Sequence, residues 1–482
     1  MWYTIFKSLG YCFLKEEVYS KTVVKDRIMK IIIFGCGKIG TTVIASLLVE
    51  GHDIVAVDAD RNVVTEVTNI YDVIGICGNG ADYDTLAEAE VENCDMFIAV
   101  TGSDELNMLA CYIARRMGAK NTVARIRNPE YNDQSLVPMK NYLGLTSALN
   151  PEQLIAHEIY NVLRFPNATK VETFTNRRLE MIELNLKEES PLIGISMIEL
   201  RKKYPAKFLI CAVLRDGEVY IPDGRFELRL GDRILLTAAP NELHKLLKNL
   251  GILKRQSRNV MILGASRISF YLSKMLLGSG ISVKLIERNR EKCEEFASVL
   301  PGAVIINGDG SREELLIEEG IQNMDAFVTL TDNDEENILN SFFVSKLGVQ
   351  KTVTRVDRNE LYSTVEKLGL DCMVSTHKSV SGLVLRYVRA IENSMGSNVE
   401  RLYKVMDNKA EALEFNVLPE FEYCHIQLKD LNPKFKPNIL ITGILRDRKP
   451  IIPAGDDVIL PGDRVVVLAK GHQLNDLSDI IR

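Results

Sequence analysis

Six residues directly after an apolar run, Gly35-Cys36-Gly37-Lys38-Ile39-Gly40, have the spacing of a phosphate-binding loop. Such spacing means little alone, but here a strand-like run precedes it and a helix-like stretch follows. A carboxylate, Asp58, also closes the next apolar run about twenty residues on. Gly35 permits a tight turn, Gly37 lets a pyrophosphate approach the backbone, and Gly40 lets the helix pack closely on the strand. The helix start offers unpaired N–H groups and a partial positive charge to phosphate. Asp58 is placed to accept hydrogen bonds from adenosine ribose hydroxyls, and its charge repels a 2′-phosphate. NAD(H) or adenine nucleotides are therefore favoured over NADP(H). The competing reading is a Rossmann unit that has lost its ligand.

Lys38 projects from this loop, and Arg125 ends an apolar run on the same sheet edge, so either can neutralise phosphate. For Arg125 a plain salt bridge to Asp104 or Glu105 is the alternative. Thr101-Gly102 follows the fourth run, where a doubly wound sheet places its ligand crevice. Gly78-Asn79-Gly80 follows the third and reads as a turn.

The elements that position these residues follow from the pattern of apolar runs. Short runs at 31–34, 54–57, 96–100 and 123–126 alternate with helix-length amphipathic stretches. Continuous rather than alternating apolar strands belong to a parallel sheet buried on both faces. A helix is predicted next, with Asn150 as cap and Pro151 in its first turn, carrying Leu154, Ile155, Ile159, Val162 and Leu163 on one stripe. From about 171 to 250 short strands are broken by Asp216-Gly217, Pro222-Asp223-Gly224 and Gly231-Asp232, and a helix at 242–250 closes a small α+β unit.

The whole arrangement then recurs. Gly35 returns as Gly264, Asp58 as Glu287, and Asp104-Glu105-x-Asn107 as Asp334-Glu335-x-Asn337. Thr122 to Arg125 returns as Thr352 to Arg355, Arg215-Asp216 as Arg446-Asp447, and Gly231-Asp232-Arg233 as Gly462-Asp463-Arg464, always 229 to 231 residues on. This is a tandem duplication. The second loop reads Gly264-Ala265-Ser266-Arg267-Ile268-Ser269, two serines standing where the first copy has glycine. A Cβ at Ser266 intrudes where a pyrophosphate would touch backbone, while Glu287 persists and Arg267 can compensate with charge.

The expected fold class is therefore α/β, with two doubly wound parallel-sheet Rossmann domains, each followed by a small α+β domain. The expected boundaries are an extension at 1–28, a Rossmann domain at 29–149, a linking helix at 150–167 and an α+β domain at 168–254. The second copy follows as a Rossmann domain at 255–376, a linking helix at 377–398 and an α+β domain at 399–482. The extension carries Trp2, Tyr3, Phe6, Tyr11 and Phe13 interrupted by Lys7 and Lys15, with no small-residue cleavage site, so it is read as a dispensable segment outside the fold.

Composition bounds the function. The chain has 482 residues, 46% hydrophobic and 26% charged, with a net charge of −6, which gives no basic field for nucleic acid. Nine scattered cysteines with no Cys-x-x-Cys suit reduced thiols and argue against a disulfide framework or a zinc site. No apolar run approaches the ~18–20 residues that span a bilayer, so any membrane passage is expected in another subunit.

The residues Met29-Lys30-Ile31-Ile32-Ile33-x-Gly35-x-Gly37-x-x-Gly40, Asp58, Ala99-Val100-Thr101-x-x-Asp104-Glu105-x-Asn107 and Ala124-Arg125-Ile126-Arg127 resemble the RCK (KTN) family. Leu214-Arg215-x-Gly217 and Gly231-Asp232-x-Ile234 extend the likeness into the α+β unit, which resembles the RCK C-terminal domain. Two copies in one chain resemble the peripheral subunits of bacterial Trk potassium uptake systems. The likeness implies a ring of such domains beneath an integral-membrane potassium-conducting subunit of the TrkH or TrkG type, gated by NAD(H), ATP or ADP. It places nucleotide contacts on Gly35, Cys36, Gly37, Lys38, Ile39, Asp58, Thr101, Gly102 and Arg125. In the second copy they fall on Gly264, Ala265, Ser266, Arg267, Ile268 and Glu287, where Ser266 and Ser269 depart from the glycine pattern. The α+β units of some relatives bind small effectors such as cyclic di-AMP.

Two other function classes compete. An NAD-dependent oxidoreductase needs a proton donor or acceptor over the nicotinamide. The six histidines, His52, His157, His244, His377, His425 and His472, do not recur between copies, and none lies in a phosphate-loop context. The other class is a structural ring subunit with vestigial sites. Nucleotide-dependent stabilisation separates that one, and turnover of NADH separates the enzyme.

Overall fold

The structure, a computed structural model, describes residues 28–131, 133–165, 168–175, 178–188, 190–251, 257–370, 372–393 and 399–482. Apart from Ile28, the expected extension lies outside the described residues.

The first parallel sheet has strands β1 (Lys30–Phe34), β2 (Asp53–Asp58), β3 (Ile74–Cys77), β4 (Met96–Ala99), β5 (Thr122–Arg125) and β6 (Ser147–Leu149), in the order β3-β2-β1-β4-β5-β6. Its strands bury both faces in alternation. Ile31, Ile33, Ile54, Ala56, Met96 and Ile98 belong to one core cluster, and Ile32, Phe34, Val55, Val57, Phe97 and Ala99 to the opposite one. The strand order reverses between β1 and β4, so the loops after these two strands diverge and open a crevice. The phosphate loop and Thr101-Gly102 stand at those two strand ends.

The first α+β unit is an antiparallel sheet of β7 (Ala168–Phe174), β8 (Leu179–Asn185), β9 (Phe208–Arg215), β10 (Glu218–Tyr220) and β11 (Arg233–Ala238), in the order β10-β9-β11-β8-β7. The second Rossmann unit contains β12 (Asn259–Leu263), β13 (Ser282–Glu287), β14 (Val304–Asn307), β15 (Ala326–Thr329), β16 (Lys351–Arg355) and β17 (Met373–Val374), ordered as in the first. The last unit pairs β18 (Val399–Val405), β19 (Ala410–Asn416), β20 (Ile439–Arg446), β21 (Lys449–Ile451) and β22 (Arg464–Ala469) in the same antiparallel order. The motifs shared by these units are ion pairs as well as turns. Arg215 grips the buried Asp232 with two bonds of 2.7 Å, and Arg446 grips Asp463 at 2.9 and 2.7 Å.

The copies differ at their ends. The first closes with the helix Pro240–Asn249, whose Leu243, Leu246 and Leu247 are buried. The expected repetition of this helix does not occur: a short turn, Leu477–Ile480, ends the second copy. Pro240, preset for a first helical turn, has Gly471 as its counterpart, and that glycine has φ +71.

The two linking helices decide the assembly. The helix Pro151–Arg164 starts as its residues predict, with Asn150 accepting from the Gln153 N–H at 2.9 Å and Pro151 in the first turn. Its buried stripe is Ile155, Ala156, Ile159, Val162 and Leu163, with Leu154 only half-buried. That stripe packs on the helix Arg267–Gly278 of the second copy, against Ile268, Leu272 and Leu276. Reciprocally, Val380, Val384, Leu385 and Val388 of the helix Thr376–Asn393 pack on Val43, Ile44 and Leu47 of the helix Lys38–Val49 in the first copy. Each link therefore crosses to the other copy's phosphate-loop helix. At about 1.5–3 kcal/mol for each fully buried aliphatic side chain, seams of this size hold the copies together. The two antiparallel sheets also share a core, in which Phe174, Met181 and Leu235 meet Met406, Ala412 and Val466.

Where the two linking helices approach, Glu158 accepts from the Ser379 hydroxyl at 2.9 Å. Burial, then Glu172, raises its carboxyl to about 7 against the opposing pull of Lys170. The unfolded carboxyl ionises near 4.5, so between about 4.5 and 7 the folded chain holds a proton that the unfolded chain has released. Stability from this group therefore falls as pH rises through that window. Glu158→Gln is expected to remove this slope, gaining on the order of 1–3 kcal/mol over the unsubstituted chain between pH 5 and pH 8. Urea midpoints at the two pH values measure it, and parallel midpoint shifts in both proteins count against it.

Candidate functional site

The first crevice has a volume of about 470 Å³ and is lined by Gly35, Gly37, Lys38, Ile39, Asp58, Thr101, Gly102 and Arg125, with Phe34, Ala59, Val100, Leu106 and His377. Eight of the nine residues expected at this site meet there. Cys36 is the exception: its side chain is buried, and burial beside Asp58 pushes the thiol up to about 12, so it is an inert packing group.

Each glycine has a separate reason. Gly35 turns at φ +96, and a Cβ there would stand 2.8 Å from the Thr101 nitrogen. A Cβ on Gly40 would lie 1.9 Å from the Gly35 oxygen, so helix and loop touch through this position. A Cβ on Gly37 meets nothing within 4 Å, so it would project into open space. Gly37 caps the helix Lys38–Val49 with no side-chain hydrogen bond, which leaves the helix start open to an anion. Asp58 holds the loop: one oxygen accepts from the Cys36 N–H at 2.7 Å, the other from the Asp60 N–H at 2.9 Å.

The repeated acidic motif shapes the opposite wall. Asn107 is fully buried, accepts from the Thr101 N–H and hydroxyl at 2.9 and 2.7 Å, and donates to the Arg125 carbonyl at 2.9 Å. Asn337 does the same for Thr331 and Arg355. Asp104 accepts from the backbone N–H groups of Arg127 and Asn128 and from the Arg127 side chain at 2.7–3.1 Å, and these bonds hold its carboxyl below the usual range against burial. The recurrence of these residues was the only signal of that role in the sequence.

Two expectations need correction. Arg125 pairs with neither Asp104 nor Glu105; its partner is Glu152, at 3.1 Å. Asp104 is already filled by Arg127, and the linking helix brings Glu152 to the strand end. His377, remote in sequence from any phosphate loop, lines the first crevice because its helix crosses to the first copy.

The second crevice is larger, about 1190 Å³, and includes Gly264, Ala265, Ser266, Arg267, Ile268 and Glu287. Glu287 repeats the role of Asp58, accepting from the N–H groups of Ala265 and Asn289 at 2.8 Å each. The helix start differs. Ser266 accepts from the Ser269 N–H at 3.2 Å, while Ser269 donates to the Gly264 carbonyl at 2.5 Å. This capping box satisfies donors that the first copy leaves open. In compensation Arg267, Arg288, Lys292 and Arg355 line the second crevice, joined across the copies by Arg125, Arg127 and Glu152. Among the described residues no group of three His, Cys, Asp or Glu could hold a metal ion, and no helix is long and apolar enough to cross a membrane.

Comparison with known proteins adds an independent line. Residues 31–151 and 260–376 match the TrkA-N domain, and residues 181–251 and 412–482 match the TrkA-C domain. The chain is 32% identical over 459 residues to "Trk system potassium uptake protein TrkA homolog 1" of Methanosarcina mazei, covering 93% of this chain and 99% of that one. It is 32% identical to the "TrkA homolog" of Archaeoglobus fulgidus, over 94% of this chain and 100% of that one. In fold it is similar to the "GsuK channel bound to NAD", with a TM-score of 0.61 at 17% identity, over 97% of this chain and 83% of that one.

Proposed function

The chain belongs to the TrkA family of Trk system potassium uptake proteins, and from that membership we propose that it is a cytosolic, nucleotide-binding regulatory subunit that gates a potassium-conducting membrane partner of the TrkH or TrkG type. The observation that carries the nucleotide reading is the open start of the helix Lys38–Val49, with free space at Gly37 and Asp58 across the loop. Gly35, Gly37, Lys38 and Ile39 hold the phosphates, Asp58 the ribose, and Thr101, Gly102 and Arg125 the far wall. NAD(H) is the ligand best matched to this set, with ATP or ADP taking the same place. The NAD-bound GsuK channel of similar fold supports the choice. In the second crevice Gly264 to Ile268 and Glu287 contact a nucleotide, with arginine side chains replacing the open helix start.

The protein acts from the cytoplasmic face of the membrane, in a ring with further copies of itself, and the ion passes through the partner. Because each linking helix packs on the other copy's phosphate-loop helix, ligand bound at either loop bears on a seam between copies. A ligand shifts such an equilibrium only by binding one arrangement more tightly, and a difference of about 2 kcal/mol gives a roughly 30-fold bias. Reciprocity requires the partner to change nucleotide affinity by the same factor. Rubidium flux into vesicles holding the partner, with and without this protein and each nucleotide, is expected to depend on nucleotide. Flux indifferent to NADH, NAD, ATP and ADP defeats the proposal.

A further inference from the structure

His377 is the second residue of the helix Thr376–Asn393, and Glu152 is the second residue of the helix Pro151–Arg164. The crossing sends each to the opposite copy. His377 joins Gly37, Lys38 and Asp58 in the wall of the first crevice and also lines the second, whereas Glu152 lines the second and not the first. An imidazole thus shares a crevice wall with the phosphate loop whose helix start is open, and a carboxylate shares one with the loop that is capped by its own serines. A phosphate entering the first crevice meets backbone N–H groups and Lys38 from its own copy, and His377 from the other.

We propose that His377 is a phosphate-binding residue which the second copy supplies to the first crevice, and that it takes up a proton when an anionic nucleotide binds there. The inference rests on the nucleotide reading of that crevice. The charged groups around the imidazole are Lys38 on the phosphate-loop helix, Arg355 at the end of β16, Asp357 just beyond it and Asp334 at the start of the helix Asp334–Lys346. Arg125 shares the crevice wall. Burial holds the imidazole below its ordinary value of 6.5, with Lys38 and Arg355 adding to the effect and Asp357 and Asp334 opposing it. The free protein therefore carries His377 neutral at neutral pH.

A pyrophosphate reverses the local balance, since an adjacent opposite charge favours the protonated imidazole by about 1–3 pKa units. Between the free and bound values the complex holds more protons than its parts, so affinity rises as pH falls through that window. A bridge of this kind also ties ligand occupancy of the first Rossmann unit to the linking helix of the second copy, the element that forms the seam.

NAD is the suitable probe, because its pyrophosphate, unlike the terminal phosphate of ATP, does not titrate near neutrality. Calorimetric titration of the full chain with NAD at pH 6.5, in two buffers of different ionisation enthalpy, reports the protons taken up per ligand. The expected result is a fraction of one proton, with affinity rising roughly 3–10-fold from pH 8 to pH 6. In His377→Gln both the uptake and the pH dependence should vanish. NAD binding by the unsubstituted chain with no proton uptake overturns the inference while leaving the nucleotide site intact. Uptake that persists in the variant overturns it too. Failure of the unsubstituted chain to bind NAD at all removes the nucleotide reading for NAD and this inference with it.

Discussion

Arg389→Met is expected to destabilise the folded chain by about 3–5 kcal/mol, as removing one partner of a buried ion-pair cluster does. Arg389 lies on the helix Thr376–Asn393 with its side chain 6% exposed. It donates to Glu50, at the end of the phosphate-loop helix, at 2.9 and 2.5 Å, and to Glu411 on β19 at 3.0 and 3.2 Å. One guanidinium thus joins the first Rossmann unit to the second linking helix and the last sheet. Methionine fills a similar volume but takes the guanidinium away from both Glu50 and Glu411, with the Gln473 amide still donating to Glu50 at 3.1 Å. Lys404, 3.8 Å from Glu50, is too distant to replace the lost bonds. The double variant Arg389→Met with Glu50→Gln should recover part of the loss by removing one stranded charge. Urea midpoints measure both. A loss below about 1 kcal/mol in the single variant would falsify the view that this cluster holds the crossing.

The second large effect separates two glycines of one loop. Gly40→Ala puts a methyl 1.9 Å from the Gly35 carbonyl, backbone against backbone, with no flexible side chain to yield. Loop and helix must part, at a cost of at least about 3 kcal/mol, and nucleotide binding should go with the loop geometry. Gly37→Ala adds the same methyl where nothing stands within 4 Å, so the fold should lose only the ~1 kcal/mol by which alanine is the poorer helix cap, well short of the loss in Gly40→Ala. If the proposed nucleotide site holds, the methyl enters the space of the pyrophosphate, and NAD affinity should fall at least about tenfold, or roughly 1.4 kcal/mol. Thermal melts and NAD titration of the two variants distinguish steric support from ligand contact. Equal loss of stability in both, or unaltered NAD affinity in Gly37→Ala, defeats the assignment.

Much of the architecture was legible because it is written in local pattern. Both-face burial makes the strands continuous apolar runs, so 31–34 and 54–57 announced a parallel sheet before any contact was known. The loop glycines and Asp58 lie within one strand–helix–strand unit, where chain geometry alone sets their distances, and the duplication marked Asp104 and Asn107 as worth explaining. Asn150 and Pro151 likewise announced a helix start, since capping depends on neighbours only three residues away.

What the linking helix packs against was a different kind of question. Its apolar stripe showed that a partner existed, but Ile155 and Ile159 suit any aliphatic surface, and the choice of the other copy's helix is a matter of chain path over more than a hundred residues. Everything downstream of that choice was therefore hidden from the sequence. It includes the Glu152 partner of Arg125, the Arg389 cluster and the arrival of His377 beside the first phosphate loop. The closing helix failed to repeat for a reason that sequence carried faintly, a glycine for a proline at one position, which matters only once its backbone sign is known. Sequence by itself determined the elements and the residues that make up the two loops, because short-range sterics and hydrogen bonding dictate them. Only the tertiary structure decided which copy's side chains complete which crevice, because hydrophobic packing is non-directional and selects its partner by the shape of the whole chain.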